Sequence, residues 1–237
     1  MKKSTFIVIE GPDGIGKTTL VENLAKLLRK FGHQVECLRQ PGSTPTGEKL
    51  RDIIKGNDGD LDENAALFIL MASFAQLKKR LDTCASKSAK IYLCDRHLPS
   101  LYVYQSHLQS YQAVANGQLI RSSDLSSGWS LADLMPDHNL FDCMTIIMHF
   151  DGSEEQKNEL LNRRNPIEEN HQDREHRVRY DQIAGRYWNY LTVNEVRSMV
   201  VHIDDTESAL VDRAIAKIST LPYFLSPTGE SSLQSAF

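Results

Sequence analysis

Apolar residues follow two spacings that alternate along the chain. Short apolar runs predict buried β-strands, at Thr5–Ile9, Val35–Leu38, Ile91–Cys94, Met144–Phe150 and Met199–Ile203. Apolar residues that recur every three or four positions predict helices, at Leu20–Phe31, Gly47–Lys55, Glu63–Ala85, Leu98–Ala115, Ser153–Arg163, Asp181–Val193 and Glu207–Thr220. Because the two kinds of element alternate, the pattern predicts an α/β fold in which a five-stranded parallel sheet carries helices on both faces.

Polar stretches interrupt this pattern in three places. Residues 164–177 are charged and show no apolar period, so we predict a mobile loop there. Residues 121–130 are rich in serine and glycine and predict a second loop, and the polar tail 226–237 predicts disorder. We therefore expect one domain over residues 1–225, which is long enough to bury a sizeable core.

Composition narrows the class of protein. The 237 residues include 27 Lys and Arg against 31 Asp and Glu, a net charge of −4, so the bulk charge indicates neither nucleic acid nor a membrane surface as a partner. The four cysteines form no CxxC pair, and the first apolar run ends at Glu10, too early for a signal peptide or a membrane span. These features predict a cytoplasmic protein with reduced thiols.

The turn after the first strand matches a phosphate-binding loop. Residues 11–18 read GPDGIGKT and fit G-x-x-x-x-G-K-[ST] between a predicted strand and a predicted helix. Glycines let backbone N–H groups surround oxyanions, and the helix N-terminus adds positive potential. Lys17 is then expected to reach the outer phosphates of a nucleoside triphosphate, and Thr18 to offer its hydroxyl to Mg²⁺. The alternative is a glycine turn before an ordinary capped helix.

With this motif the predicted fold is a three-layer P-loop NTPase fold. The residues expected to bind the triphosphate are Gly11, Asp13, Gly14, Ile15, Gly16, Lys17, Thr18 and Thr19.

The end of the third predicted strand carries a second phosphate-directed pair. Asp95 stands where a carboxylate can hold Mg²⁺ through water, and Arg96 beside it can bind a second phosphate with two hydrogen bonds. Two facing phosphate sites suit a kinase whose acceptor is already phosphorylated. The alternative is a structural ion pair at a strand end. The chain contains no N-K-x-D, which a switch GTPase would need to read its base.

The polar loop adds four arginines, Arg163, Arg164, Arg174 and Arg177. Arginines on a mobile segment can close over a transferring phosphoryl group and neutralise its charge, so we predict a lid over about 163–177. The alternative is a solvated charged loop.

Four motifs together resemble the thymidylate kinase family. They are FIVIEGPDGIGKTT from Phe6, RQPGSTPTGEKLR from Arg39, CDRHLPSLYVYQ from Cys94 and MPD from Met135, and the similar order covers about residues 5–220. The resemblance implies a P-loop nucleoside monophosphate kinase, usually a homodimer, that transfers the γ-phosphate of ATP to dTMP with Mg²⁺.

The resemblance also implies roles for matching positions. Asp13 stands where the family has an acidic residue near the acceptor's 3′-hydroxyl, and Arg51 and Arg96 match arginines that hold the acceptor phosphate. Gln105 matches a glutamine near the base, and Tyr104 beside it is a candidate ribose neighbour. With Phe74, these residues are the predicted acceptor site.

The family also suggests where a catalytic arginine lies. One branch has it after the loop acid, but Gly14 occupies that position, so a lid arginine is expected to act instead. The lid departs from the family's D-R-[IL]-E spacing, which leaves several candidates. The predicted catalytic residues are Lys17, Arg96, Arg163, Arg164 and Arg174.

Departures from the family concern base recognition. Leu70 replaces an aromatic residue that stacks on thymine, Phe74 replaces an arginine that bonds the base, and Leu101 replaces a serine near it. A site that loses its hydrogen-bond donors to a base discriminates less well between bases. Phe74 could stack on a base or fill the core, and Gln40, in place of a glutamate, would weaken Mg²⁺ positioning.

The expected function is phosphorylation of a nucleoside monophosphate, with dTMP as acceptor and ATP and Mg²⁺ required. The departures keep two alternatives open: a kinase retuned to another (deoxy)nucleoside monophosphate, and a P-loop ATPase or regulatory module without thymidylate activity. A kinase acting within DNA is disfavoured by the acidic charge balance.

Overall fold

A computed structural model describes residues 3–56, 60–109, 111, 131–162, 178–193, 196–202 and 204–221. Within these ranges five strands form one parallel sheet in the order β2-β3-β1-β4-β5. The strands are β1 (Ser4–Glu10), β2 (Val35–Arg39), β3 (Ile91–Asp95), β4 (Phe141–Phe150) and β5 (Arg197–Val201). The helices are α1 (Lys17–Lys30), α2 (Pro45–Lys55), α3 (Glu63–Ala85), α4 (Leu98–Gln105), α5 (Glu154–Asn162), α6 (Tyr180–Val193) and α7 (Glu207–Ile218), with a 3₁₀ helix at Leu131–Leu134.

The core lies on both faces of the sheet. Side chains alternate along β1, so Ile7 and Ile9 pack with α1 and α7 on one face, while Phe6 and Val8 pack with α3 on the other. All seven residues of β1 are buried. The predicted five-stranded parallel sheet with helices on both faces is therefore confirmed.

Local signals explain where several helices begin. The Thr44 side chain accepts a hydrogen bond from the Gly47 N–H, and Pro45 follows it in the first turn of α2. Asp62 caps α3 in the same way. In α1, by contrast, the N-cap residue is Gly16, which has no side chain to cap the helix. Within the described ranges, no side chain caps the first backbone N–H groups of α1, and these groups are therefore suited to bind an anion.

Some predicted boundaries were wrong. The helix predicted over Leu98–Ala115 ends at Gln105, where Ser106 forms the C-cap and Leu108 N–H bonds to the Gln105 carbonyl. Beyond this break, Leu108 and Tyr111 pack against a cluster that includes residues of α3, and residues 110 and 112–115 of the predicted helix lie outside the described residues. β4 begins three residues before the predicted start, since Phe141 already pairs with Ser4 of β1.

β5 spans Arg197–Val201 instead of Met199–Ile203. The predicted loop 121–130, the lid over 163–177 and the tail 226–237 lie outside the described residues. In the part of the chain that the structure describes, no helix has the length and apolar character needed to cross a membrane.

Candidate active site

Parallel strands end at the same edge of the sheet, and a cleft of about 790 Å³ opens there. Residues of the phosphate loop, of the turn after β2, and of α2, α3 and α4 line it. The cleft has two chemically different ends. We call residues 11–18 with Asp95 and Arg96 the phosphate end, and Ala66, Leu70, Phe74 and Leu101 with Gln40 the base end.

The phosphate loop requires glycine at two points. A Cβ on Gly11 would lie 2.5 Å from the Met148 carbonyl oxygen on β4, and its φ is +143°. Gly16 has φ +93° at the start of α1. Both backbones adopt conformations that L side chains rarely enter. The loop can therefore turn tightly between β1 and α1, as its motif predicts.

Lys17 is held inside this loop. Its Nζ donates to the Pro12 carbonyl at 2.7 Å and lies 3.8 Å from Asp13 Oδ1. Burial, together with the positive charge of Arg96, lowers the pKa of Lys17 to about 8, although the carboxylates of Asp13 and Asp95 oppose that shift. A buried ammonium group whose charge is not fully balanced by nearby carboxylates attracts further negative charge, such as that of a phosphate.

Thr18 and Asp95 form the expected metal pair. The Thr18 hydroxyl donates to Asp95 Oδ2 at 2.5 Å, and Asp95 Oδ1 is buried without a hydrogen-bond partner among the described residues. No cluster of three His, Cys, Asp or Glu side chains is present in the same part of the chain. One carboxylate and one hydroxyl suit Mg²⁺, which keeps several waters and takes its other ligands from phosphates. The pair therefore fits the ion.

Arg96 lies at the centre of the site, in an uncommon backbone conformation with φ +72°. Its Nη2 donates to Asp13 Oδ1 at 2.5 Å, and its Nη1 donates to Ser100 Oγ at 2.9 Å and to the Tyr187 hydroxyl at 3.0 Å. The guanidinium group also lies 5.4 Å from the centre of the Tyr104 ring. The orientation of Arg96 is thus defined by partners from α4, α6 and the phosphate loop.

A buried carboxylate, Glu10, completes this network at the end of β1. Its Oε2 accepts from the hydroxyls of Ser100 at 2.7 Å and Tyr187 at 2.8 Å. Its Oε1 accepts from the backbone N–H of His97 at 2.6 Å and of Ser100 at 3.2 Å. Burial raises the pKa of Glu10, while Arg96 and these donors oppose the shift.

Sequence reasoning missed this network. The Tyr187 ring is buried between α4 and β4, and its hydroxyl accepts a hydrogen bond from Arg96. One signal was available: Glu10 is a charged residue directly after an apolar strand, and a buried charge requires several polar partners.

The other predicted acceptor residues line the same cleft. Arg51 does so from α2, where its Nη1 donates to the Pro41 carbonyl at 2.9 Å. Tyr104 and Gln105 line the cleft from α4.

The base end is continuous with the protein core. Phe74 borders the cleft but is only 2% exposed, and its ring meets the His97 ring edge-on at 4.9 Å between centroids. Leu101 belongs to the same buried cluster, with Leu70 packed against it. Of the two interpretations of Phe74, the structure places it in the core-filling role, at the boundary of the cleft.

The predicted triphosphate residues divide into two groups. Asp13, Gly14, Gly16, Lys17, Thr18 and Thr19 line the cleft. Ile15 is instead buried in the core cluster beneath α1, and Gly11 packs against β4. Arg163, Arg164 and Arg174 lie outside the described residues.

Comparisons with known proteins show which family this chain is similar to. A family model described as thymidylate kinase matches residues 9–195. A curated thymidylate kinase from Thermoanaerobacter sp. (strain X514) is 39% identical over 105 residues, 44% of this chain and 52% of that protein, so the match spans about half of that relative's length. One from Staphylococcus epidermidis (strain ATCC 12228) is 27% identical over 216 residues, 91% of this chain and 97% of that protein.

Solved structures show the same fold. A thymidylate kinase from Ehrlichia chaffeensis has a TM-score of 0.59 at 22% identity and covers 91% of this chain and 99% of its own. One from Candida albicans, described as having broad substrate specificity, has a TM-score of 0.61 at 17% identity and covers 93% of each chain. These similarities confirm the predicted fold.

Proposed function

Because this chain belongs to the thymidylate kinase family, we propose that it transfers the γ-phosphate of ATP to a nucleoside monophosphate, with dTMP as the expected acceptor. The observation that carries the proposal is the pairing of two phosphate sites in one cleft. Lys17 and the N-terminus of α1 are suited to the donor phosphates, and Arg96 and Arg51 are suited to the phosphate of the acceptor.

At the donor site, the backbone N–H groups of the phosphate loop bind the triphosphate, and Lys17 neutralises its outer phosphates. Thr18 and, through water, Asp95 would hold Mg²⁺, which would supply positive charge against the phosphate oxygens. Because burial lowers the pKa of Lys17, the negative charge of a bound phosphate would further favour its protonated form.

At the acceptor site, Arg96 orients the monophosphate in line with the γ-phosphate. The bonds of Arg96 to Ser100 and Tyr187 define its position, and Asp13 is the partner that a phosphate would displace or share. The acceptor phosphate is already anionic, so no general base is needed, and catalysis consists of positioning and charge stabilisation. Arg163, Arg164 and Arg174 are candidates for a further cation over the transferring group.

We include a cytoplasmic homodimer in this proposal. Two large apolar side chains on adjacent helices support the dimer: Ile53 on α2 is 51% exposed, and Phe68 on α3 is 46% exposed. Light scattering of the purified protein tests it, and a monomer at micromolar concentration would contradict it.

The experiment that tests the activity measures ADP release from ATP and Mg²⁺ with each nucleoside monophosphate and with none. We expect dTMP to stimulate release most. Lys17→Ala should abolish release, and Lys30→Ala, on the exposed side of the same helix, should leave it unchanged.

A second candidate is a kinase for another monophosphate, favoured by the apolar base end. Its signature is stronger stimulation by an acceptor other than dTMP. ADP release that ignores every acceptor would contradict both kinase candidates and favour an ATPase.

A further inference from the structure

Gln40 is a buried amide in the wall of the cleft. It follows β2 directly and is 2% exposed, and its backbone N–H donates to the Asp95 carbonyl at 2.9 Å. Its side chain turns toward α3, where Ser73 is fully buried. The residue thus reaches from the strand that neighbours the phosphate end to the helix that forms the base end.

A short chain of hydrogen bonds defines the orientation of this amide. The Gly42 N–H donates to Ser73 Oγ at 3.1 Å. Since Ser73 Oγ accepts there, its own proton is available for the Gln40 amide, and it donates to Gln40 Oε1 at 2.8 Å. The carbonyl of the amide is therefore engaged, and the NH₂ group points elsewhere.

That NH₂ group has no hydrogen-bond partner within the described residues, although it is buried. An unpaired buried donor is destabilising because it has lost its hydrogen bonds to water, and buried polar groups in folded proteins are rarely left in this state. Four side chains of α3 line the cleft: Ala66, Leu70 and Phe74, which are apolar, and Arg80, whose guanidinium bonds to Glu36 and to the Ser43 carbonyl. The unpaired amide lines the same cleft as these three apolar side chains.

We propose that Gln40 is a specificity-determining residue whose side-chain NH₂ donates to a carbonyl oxygen on the base of the acceptor nucleotide. The inference rests on the proposed function. A neutral amide among apolar side chains suits an uncharged carbonyl, whereas the phosphates are matched by the cations Lys17 and Arg96 at the other end. A pyrimidine with a carbonyl at position 4, as in thymine, supplies this acceptor, and cytosine carries an amino group there.

Gln40→Glu tests the proposal, because it replaces the donor with an acceptor of the same shape. We expect the preference of kcat/KM for dTMP over dCMP to fall at least about tenfold, through the KM of the monophosphate, with the KM of ATP unchanged. Gln40→Leu, which has neither a donor nor an acceptor at this position, should bring the kcat/KM values for dTMP and dCMP closer together. Gln76→Glu is the matched control, since Gln76 lies on the exposed side of α3, and its ratio should equal that of the wild type.

Three results would overturn the proposal: an unchanged ratio in Gln40→Glu, an equal loss with both acceptors, or a wild-type preference for dCMP. An equal loss would assign Gln40 to packing or to the sugar and phosphate. Calorimetric binding of dTMP and dCMP gives the same comparison without turnover, and thermal denaturation of each variant identifies misfolding. If the wild type binds both nucleotides but produces no ADP, the proposed function fails, while the binding ratio still tests Gln40.

Discussion

The two ends of the cleft solve different physical problems. At the phosphate end, charged groups are paired with one another: Arg96 with Asp13 and, through two hydroxyls, with Glu10. At the base end, Phe74 and Leu101 are almost completely buried and form part of a hydrophobic cluster. The phosphate end is organised by electrostatics, whereas the base end is also core. Substitutions at the base end should therefore change stability first, and those at the phosphate end should change turnover first.

Phe74→Ala should have the largest effect on folding. It removes a buried ring from the base end, and such truncations cost about 3–5 kcal/mol in the free energy of unfolding. Trp188→Ala is the control, because Trp188 is more than half exposed and its loss should cost below about 1 kcal/mol. Urea denaturation measures both. Equal losses for the two variants would contradict the assignment of the base end to the core.

Arg96→Ala, at the phosphate end, should change turnover more than stability. We expect the kcat/KM for the monophosphate to fall about 10²–10³-fold, because the acceptor loses its charged anchor, while ATP affinity changes little. Steady-state kinetics and nucleotide titration measure the two quantities. Arg197→Ala, on the exposed side of β5, is the matched control. Near-normal turnover of Arg96→Ala would exclude the acceptor role.

His97 connects the two ends, and its titration should destabilise the protein in acid. The backbone N–H of His97 donates to Glu10, and the ring of His97 packs edge-on against Phe74. Burial lowers the pKa of the His97 imidazole to about 3. In the unfolded chain this imidazole binds a proton below about pH 6.5, whereas in the folded protein it stays neutral down to about pH 3. The free energy of unfolding therefore decreases as pH falls below 6.5, by on the order of 3 kcal/mol at pH 4. His97→Phe should lose less stability than the wild type between pH 7 and pH 4.

Denaturation curves at the two pH values measure this difference. Glu10 is present in both proteins, so its own raised pKa cancels in the comparison. If the unfolding free energies of the wild type and of His97→Phe changed equally between pH 7 and pH 4, His97 would not titrate as expected.

Tyr187→Phe should have the smallest of these effects and should affect both folding and acceptor binding. It leaves an acceptor site on Glu10 and a donor on Arg96 unpaired, at a cost of about 1–3 kcal/mol in unfolding free energy. With Arg96 less well held, the KM for the monophosphate should rise severalfold, with kcat affected less. Tyr180→Phe is the control, because the buried Tyr180 hydroxyl has no partner among the described residues. An effect of equal size in Tyr180→Phe would contradict a specific role for Tyr187.

Sequence-based prediction succeeded where short-range rules apply. The bounds of α3 were predicted at Glu63–Ala85 and are observed there, since Asp62 caps a helix of good helix formers. It failed for the end of α4, because the apolar spacing continues through the break after Gln105, where Leu108 and Tyr111 pack against a cluster that includes α3. The tight turn of the phosphate loop was predicted because its motif consists of consecutive residues. The partners of Arg96 were not, because Tyr187 meets Glu10 across 177 positions of sequence.

By itself, then, the amino-acid sequence determined the α/β class, the phosphate loop and the Asp95–Arg96 pair, since each follows from periodicity or from the spacing of neighbouring residues. Only the tertiary structure decided that Phe74 fills the core, that Glu10 and Tyr187 hold Arg96, and that the Gln40 amide is left with an unpaired donor. The reason is physical: burial and hydrogen-bond partnership depend on elements distant in the chain, which pack together only when the sheet and its helices have formed.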